Sequence, residues 1–91
     1  MMSTPQHNRQ VATIFRAIAE RLASQRANPY RVRAYRRAAD AIEALEEDIA
    51  DVASRQALED IDGIGRDLSD KIEEFLRTGT IQAYEALRTP L

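Results

Sequence analysis

The stretch from Ile61 to Ile72 constrains the fold of this chain more than any other part of the sequence. It holds two of the three glycines, Gly63 and Gly65, separated by one apolar residue. Glycines at this spacing allow positive φ angles and a close approach of another backbone. Apolar residues then recur at helical spacing, at Leu68, Ile72 and Phe75. The stretch therefore predicts a tight turn that leads directly into an amphipathic helix.

The backbone of this turn has the chemistry of an anion site. We expect the amides of Ile64, Gly65 and Arg66 to project outward, at the positive end of the following helix dipole. Outward amides at a helix N-terminus bind anions, typically phosphates. Alternatively, the turn is only a tight connection between helices, and Asp62 caps it and occupies the same donors. The Gly-Ile-Gly pattern by itself leaves both interpretations open.

Composition excludes several kinds of site. The 91 residues include no cysteine, so neither a disulfide framework nor a cysteine zinc site is available. The chain has one histidine, His7, which excludes a cluster of histidine metal ligands. Its start lacks the apolar run of a signal peptide, and no later segment is apolar enough to span a membrane. We therefore expect a cytoplasmic protein without membrane contact, and a single domain over residues 1–91.

Charge is distributed unevenly along the chain, although the net charge is only -2. Residues 1–38 hold eight arginines and one acidic residue, whereas residues 39–91 hold five cationic and fourteen acidic residues. Either the two halves attract each other, or the basic half forms a face for nucleic acid. The same choice applies to Arg33, Arg36 and Arg37, whose guanidiniums suit both ion pairs and bidentate phosphate contacts.

Helical periodicity covers most of the chain, and no strand pattern interrupts it. The sequence predicts an all-α fold, a compact bundle of four to six short helices. We expect side-chain caps at Asn28, Asp48 and Thr80, and a helix end at Gly79. The predicted helices cover about 8–24, 29–45, a short segment after Asp48, 55–60, the hairpin exit to 77 or 78, and a last short segment with Ile81, Tyr84 and Leu87.

Two motifs resemble those of a known family. The segment from Asn28 to Ala39, NPYRVRAYRRAA, is similar to the second-helix signature of bacterial family X DNA polymerases. The segment from Ile61 to Gly79 is similar to their first helix-hairpin-helix and its exit. The resemblance runs from about residue 8 to residue 87 and matches their N-terminal 8-kDa domain, of the DNA polymerase beta type. It does not include the fingers, palm and thumb, so we expect no nucleotidyl transfer by this chain.

The resemblance implies sequence-independent binding of the DNA backbone, in repair or replication, at gapped, nicked or single-stranded DNA. It assigns phosphate contacts to the hairpin backbone and, by residue matching, to Arg31 and Tyr35. The residues themselves add Arg66, directly after the hairpin, and the guanidiniums of the second helix. The candidate DNA contacts are therefore Gly63, Ile64, Gly65, Arg66, Arg31, Arg33, Tyr35, Arg36 and Arg37. It requires no cofactor, but it implies a monovalent cation, K⁺ or Na⁺, held by hairpin carbonyls. Those carbonyls belong to Glu59, Ile61 and Ile64.

The one lysine of the chain, Lys71, raises an alternative function. Some members of the resembled family excise a 5′-deoxyribose phosphate with a Schiff-base lysine, and residue matching places that lysine at Lys71. From the residues alone, we expect Lys71 to border the apolar face of its helix and to pair with Asp67. A third interpretation is a protein-interaction module whose acidic second half contacts a basic partner.

Overall fold

The computed structural model describes residues 4–88, and every regular element within that range is helical. The all-α prediction is confirmed, with five α-helices. None of the described helices is long and apolar enough to cross a membrane. The first and last three residues of the predicted domain lie outside the described residues. The elements are α1 (Gln6–Ser24), α2 (Pro29–Ala44), α3 (Ile49–Ser54), a 3-10 turn (Leu58–Asp60), α4 (Arg66–Thr78) and α5 (Gln82–Arg88).

The pairing of α1 with α2 forms the base of the fold. Phe15 on α1 and Tyr35 on α2 meet edge to face, with ring centroids 5.4 Å apart and planes at 83°. Ala38 and Ala39 are fully buried, and their small side chains let the two helices approach closely. Helix α4 adds Leu68, Ile72 and Phe75 to the same core, and Ile81, just before α5, adds a further buried side chain. This core holds α2 and α4 in place, and the two helices carry the candidate site.

A buried asparagine joins three elements of the bundle. The Asn8 side chain donates to the carbonyls of Ile42, at 3.2 Å, and Glu47, at 2.9 Å. It also accepts the backbone N–H of Ile49 at 2.9 Å. Helix α1 begins at Gln6, two residues before the start predicted at about residue 8, and Asn8 has a tertiary role inside the helix. The carbonyl of Pro5 accepts the first helical hydrogen bond instead.

The helix predicted over residues 55–60 is wrong in its first half. Gln56 has a φ of 58°, in the left-handed region, and donates its N–H to the carbonyl of Ala53 at 2.9 Å. Ala57 donates to the carbonyl of Val52 at 3.0 Å. This is the Schellman pattern that ends a helix, and only residues 58–60 form a 3-10 turn afterwards. The end of α1 has the same pattern at Arg26, with a φ of 58°.

The other predicted helix ends have mixed outcomes. Asn28 caps α2 and Asp48 caps α3 through their side-chain oxygens, and Gly79 ends α4 with a φ of 84°. The predicted cap at Thr80 is wrong, because α5 begins after Ile81. The first N–H of α5 donates to the Glu74 carboxylate at 2.8 Å, so a side chain of α4 fulfils that role.

Candidate nucleic-acid interface

The hairpin turn before α4 is closed by its own backbone. Ile64 donates its N–H to the carbonyl of Ile61 at 3.0 Å, and Gly63, the third residue of the turn, has a φ of 90°. A positive φ at this position is typical of a type II turn and favours glycine. The expectation that the Ile64 amide projects outward is therefore wrong, because the turn itself uses that N–H. Asp62 does not cap the turn either, since its carboxylate bonds to Arg37 instead.

The backbone of Gly65 does not have the positive φ that the spacing of the two glycines suggested. Its φ of -93° and ψ of -171° are extended, and an added Cβ meets nothing within 4 Å. It stands at the N-cap of α4, where a serine or aspartate would cover the first helical amides with its side chain. Among residues 4–88, the N–H groups of Gly65, Arg66 and Asp67 have no hydrogen-bond acceptor. Gly65 thus leaves the positive end of α4 uncovered.

The residues that carry these amides line a depression between α2 and α4, with a volume of about 360 Å³. We call it the hairpin groove. It is lined by Tyr30, Arg31, Ala34, Tyr35, Gly63, Gly65, Arg66, Asp67 and Leu68. A second depression of about 530 Å³, the α2 groove, lies beside it and shares Tyr30, Ala34 and Gly63. The α2 groove is also lined by Arg33, Arg36, Arg37 and Asp40.

The two grooves bring together the predicted DNA-contacting residues, except that Ile64 is buried in the core. The structure therefore joins the hairpin to the arginines of α2, which the sequence separates by about 30 residues. Arg31, Arg33, Arg36 and Arg66 are exposed and have no acidic partner among the described residues. Exposed guanidiniums without partners remain available for phosphates. Arg37 differs, because its Nη2 lies 3.2 Å from the carboxylate of Asp62.

Lys71 neighbours two residues that line the hairpin groove, Tyr35 and Asp67. The Lys71 side chain is 17% exposed, and its Nζ lies 2.7 Å from the Asp67 carboxylate. Burial lowers the pKa of Lys71, but the hydrogen bond to Asp67 and the Tyr35 phenol outweigh it and raise the pKa above 10.5. The predicted ion pair is confirmed, and Lys71 is an ammonium at neutral pH. The Tyr35 ring is 3% exposed, so no base can stack on it.

Sequence reasoning missed Tyr30 as a candidate contact. Its side chain is 72% exposed, the one large hydrophobic residue so exposed in the described part of the chain. It lies where the hairpin groove meets the α2 groove. Its position off the apolar stripe of α2, which carries Val32 and Tyr35, would have indicated exposure from the sequence.

The three carbonyls predicted to hold a cation have the right chemistry for K⁺ or Na⁺. The carbonyl of Ile61 accepts one hydrogen bond, from Ile64, and keeps a second lone pair. The carbonyls of Glu59 and Ile64 accept no hydrogen bond from the described residues. Carbonyl oxygens are hard ligands that suit such cations, and the acidic side chains of Glu59, Asp60 and Asp62 add negative charge nearby.

The hairpin turn, the helix α4 that follows it and the neighbouring grooves define the class of the protein. The chain belongs to the helix-hairpin-helix domain family, whose model matches residues 6–81. Membership in this family indicates binding to DNA. No curated protein matches the chain closely enough to count as a relative.

Proposed function

We propose that this domain binds the sugar-phosphate backbone of DNA without reading its sequence, as the 8-kDa domain of family X DNA polymerases does. The observation that carries the proposal is the hairpin groove, where uncovered amides of α4 lie beside Arg31 and Arg66. Amides at a helix N-terminus and guanidiniums both bind phosphate oxygens. Such contacts fix a protein on DNA but carry no information about the bases.

The shape of the interface favours DNA with an interrupted or single strand. Tyr30 presents an exposed ring between the two grooves. An aromatic face next to phosphate contacts stacks on unpaired bases, which an intact duplex does not offer. We therefore propose gapped, nicked or single-stranded DNA as the ligand, and a role in DNA repair or replication.

The test is fluorescence anisotropy with gapped, nicked, single-stranded and intact duplex DNA over a salt series. The logarithm of the binding constant should fall with log salt by about 0.9 for each phosphate neutralised on duplex DNA. Arg31→Ala and Arg66→Ala should each weaken binding and flatten this slope by about one contact. Arg77→Ala is the matched control, because Arg77 is an exposed arginine at the other end of α4.

Three results would contradict the proposal. The first is no binding to any DNA form. The second is binding that is insensitive to salt, which would favour the protein-interaction interpretation. The third is an equal loss of affinity in Arg31→Ala, Arg66→Ala and Arg77→Ala, which would mean that only net charge matters.

The hairpin carbonyls of Glu59, Ile61 and Ile64 support a monovalent cation as part of this site. A cation held there would place positive charge beside a bound phosphate. We expect tighter DNA binding in K⁺ or Na⁺ than in choline at the same ionic strength, since choline is too large for a site of backbone carbonyls. Equal affinities in all three salts would contradict a cation site.

A second candidate function is a 5′-deoxyribose-phosphate lyase that uses Lys71. The observation that favours it is that Tyr35 and Asp67, which neighbour the Lys71 amine, both line the hairpin groove. The Lys71 ammonium would first have to lose a proton, and the free amine would then attack the sugar aldehyde and release water as the Schiff base forms. Borohydride trapping with DNA that bears a 5′-deoxyribose phosphate should then give an adduct that Lys71→Ala abolishes. No adduct, or equal trapping by the variant, would exclude this function.

A further inference from the structure

One arginine of the interface, Arg37, forms an ion pair with an acidic residue of the hairpin. Of the four arginines on α2, Arg37 alone has an acidic partner within the described part of the chain. Its Nη2 lies 3.2 and 3.4 Å from the two carboxylate oxygens of Asp62. The stem of Arg37 packs over Gly63, with Cγ 3.4 Å from the place of an added Cβ. The pair therefore spans the hairpin turn, at the boundary of the two grooves.

The partner acid has no other structural role. The Asp62 side chain is 90% exposed, and its only hydrogen bonds within residues 4–88 are those from Arg37. Exposed ion pairs contribute little to stability. The carboxylate contacts Arg37 through Nη2 alone. A DNA phosphate arriving at the hairpin carries one negative charge, as the carboxylate does, and it can accept two parallel N–H bonds from the same guanidinium. The carboxylate and the phosphate thus compete for one guanidinium.

We propose that Asp62 sets the strength of DNA binding at the hairpin by competing with phosphate for Arg37. In the free protein, Arg37 is neutralised by Asp62, so it adds little to the attraction of DNA. Binding through Arg37 requires the pair to break, and it leaves the Asp62 carboxylate beside the bound strand. Asp62 is therefore an attenuating residue, which keeps the domain weakly bound and readily released. This inference rests on the proposed DNA binding.

The test is a double-mutant cycle of Asp62→Asn and Arg37→Gln, measured by anisotropy with gapped DNA over a salt series. Asp62→Asn should strengthen binding about two- to fivefold, the factor that an exposed ion pair is worth. The salt slope should steepen by about one contact as Arg37 becomes available. Asp60→Asn is the matched control, because it removes the same charge from an exposed acid two residues away.

The decisive comparison is the increase in DNA affinity caused by Asp62→Asn with and without Arg37. With Arg37→Gln already present, Asp62→Asn should strengthen binding no more than Asp60→Asn does. An equal gain with and without Arg37, or equal gains from Asp62→Asn and Asp60→Asn, would overturn the inference while leaving DNA binding intact. If neither the native chain nor any variant binds DNA, the proposed function and this inference both fail. The melting temperature should change little in Asp62→Asn, which separates the effect from a change of fold.

Discussion

The buried hydrogen bonds of Asn8 give the sharpest stability prediction for this chain. Asn8→Ala removes the acceptor of the Ile49 N–H and the donors to Ile42 and Glu47. The carbonyl of Ile42 keeps a partner, since Leu45 also donates to it at 3.2 Å. The N–H of Ile49 is left without one inside the core, at a cost of about 1–3 kcal/mol. With the other lost bonds, we expect the free energy of unfolding to fall by about 2–4 kcal/mol.

Urea denaturation measures this loss directly, and thermal melting should show a drop of roughly 10–25 °C for a domain of this size. Gln10→Ala is the matched control, because Gln10 is exposed on the same helix and should change stability by less than about 0.5 kcal/mol. Asn8→Asp should be at least as damaging as Asn8→Ala, because its carboxylate would face two carbonyl oxygens. A loss of less than about 1 kcal/mol in Asn8→Ala would refute this reasoning.

Three further predictions concern the turns and Lys71. In urea denaturation, Gly63→Val should lower the free energy of unfolding by more than about 2 kcal/mol, and Gly65→Val by about 1 kcal/mol or less, because only Gly63 of the two has a positive φ. Equal losses would contradict the turn geometry. Gln56→Gly should stabilise the domain by up to about 1 kcal/mol in the same assay, because glycine adopts the left-handed φ of 58° without a steric cost. An unchanged stability would show that the native chain carries no strain at this residue. The raised pKa of Lys71 stabilises the fold below pH 10.5, and that stability is lost as pH rises through the folded-state pKa. The melting temperature of Lys71→Gln should therefore decline less over alkaline pH than that of the native chain. An unchanged decline would contradict the ion pair with Asp67.

The features that the sequence predicted correctly depend on neighbours close along the chain. The caps at Asn28 and Asp48 bond to N–H groups two residues away. The pair between Lys71 and Asp67 spans four residues of one helix. The helical stripes also follow from local spacing, because residues three and four apart share a face. Such contacts can be inferred without knowing how the helices pack.

The wrong predictions concern backbone angles and helix ends, and they have a common cause. The residue type at a position does not by itself determine its φ angle or where a helix ends. Gln56 adopts a left-handed angle that glycine normally marks, so the end of α3 had no indicator in the sequence. Gly65 has an extended angle that any residue can adopt, although its neighbour Gly63 needs glycine. The physical reason is that the pattern of residue types does not show which backbone hydrogen bonds close a turn, such as Ala57 N–H to Val52 and Ile64 N–H to Ile61, and those bonds accompany the left-handed angles.

The sequence by itself determined the three long helices, the position of the hairpin and the concentration of arginines on α2. Tertiary structure alone decided which of these groups meet. Asn8 reaches the N–H of Ile49 across 41 residues, and Arg37 reaches Asp62 across 25. Long side chains such as arginine have several acidic partners available in a chain with fifteen acids, and only the packing of α2 against the hairpin selects one of them. That selection leaves Arg31 and Arg66 without an acidic partner among residues 4–88, beside the uncovered amides of α4.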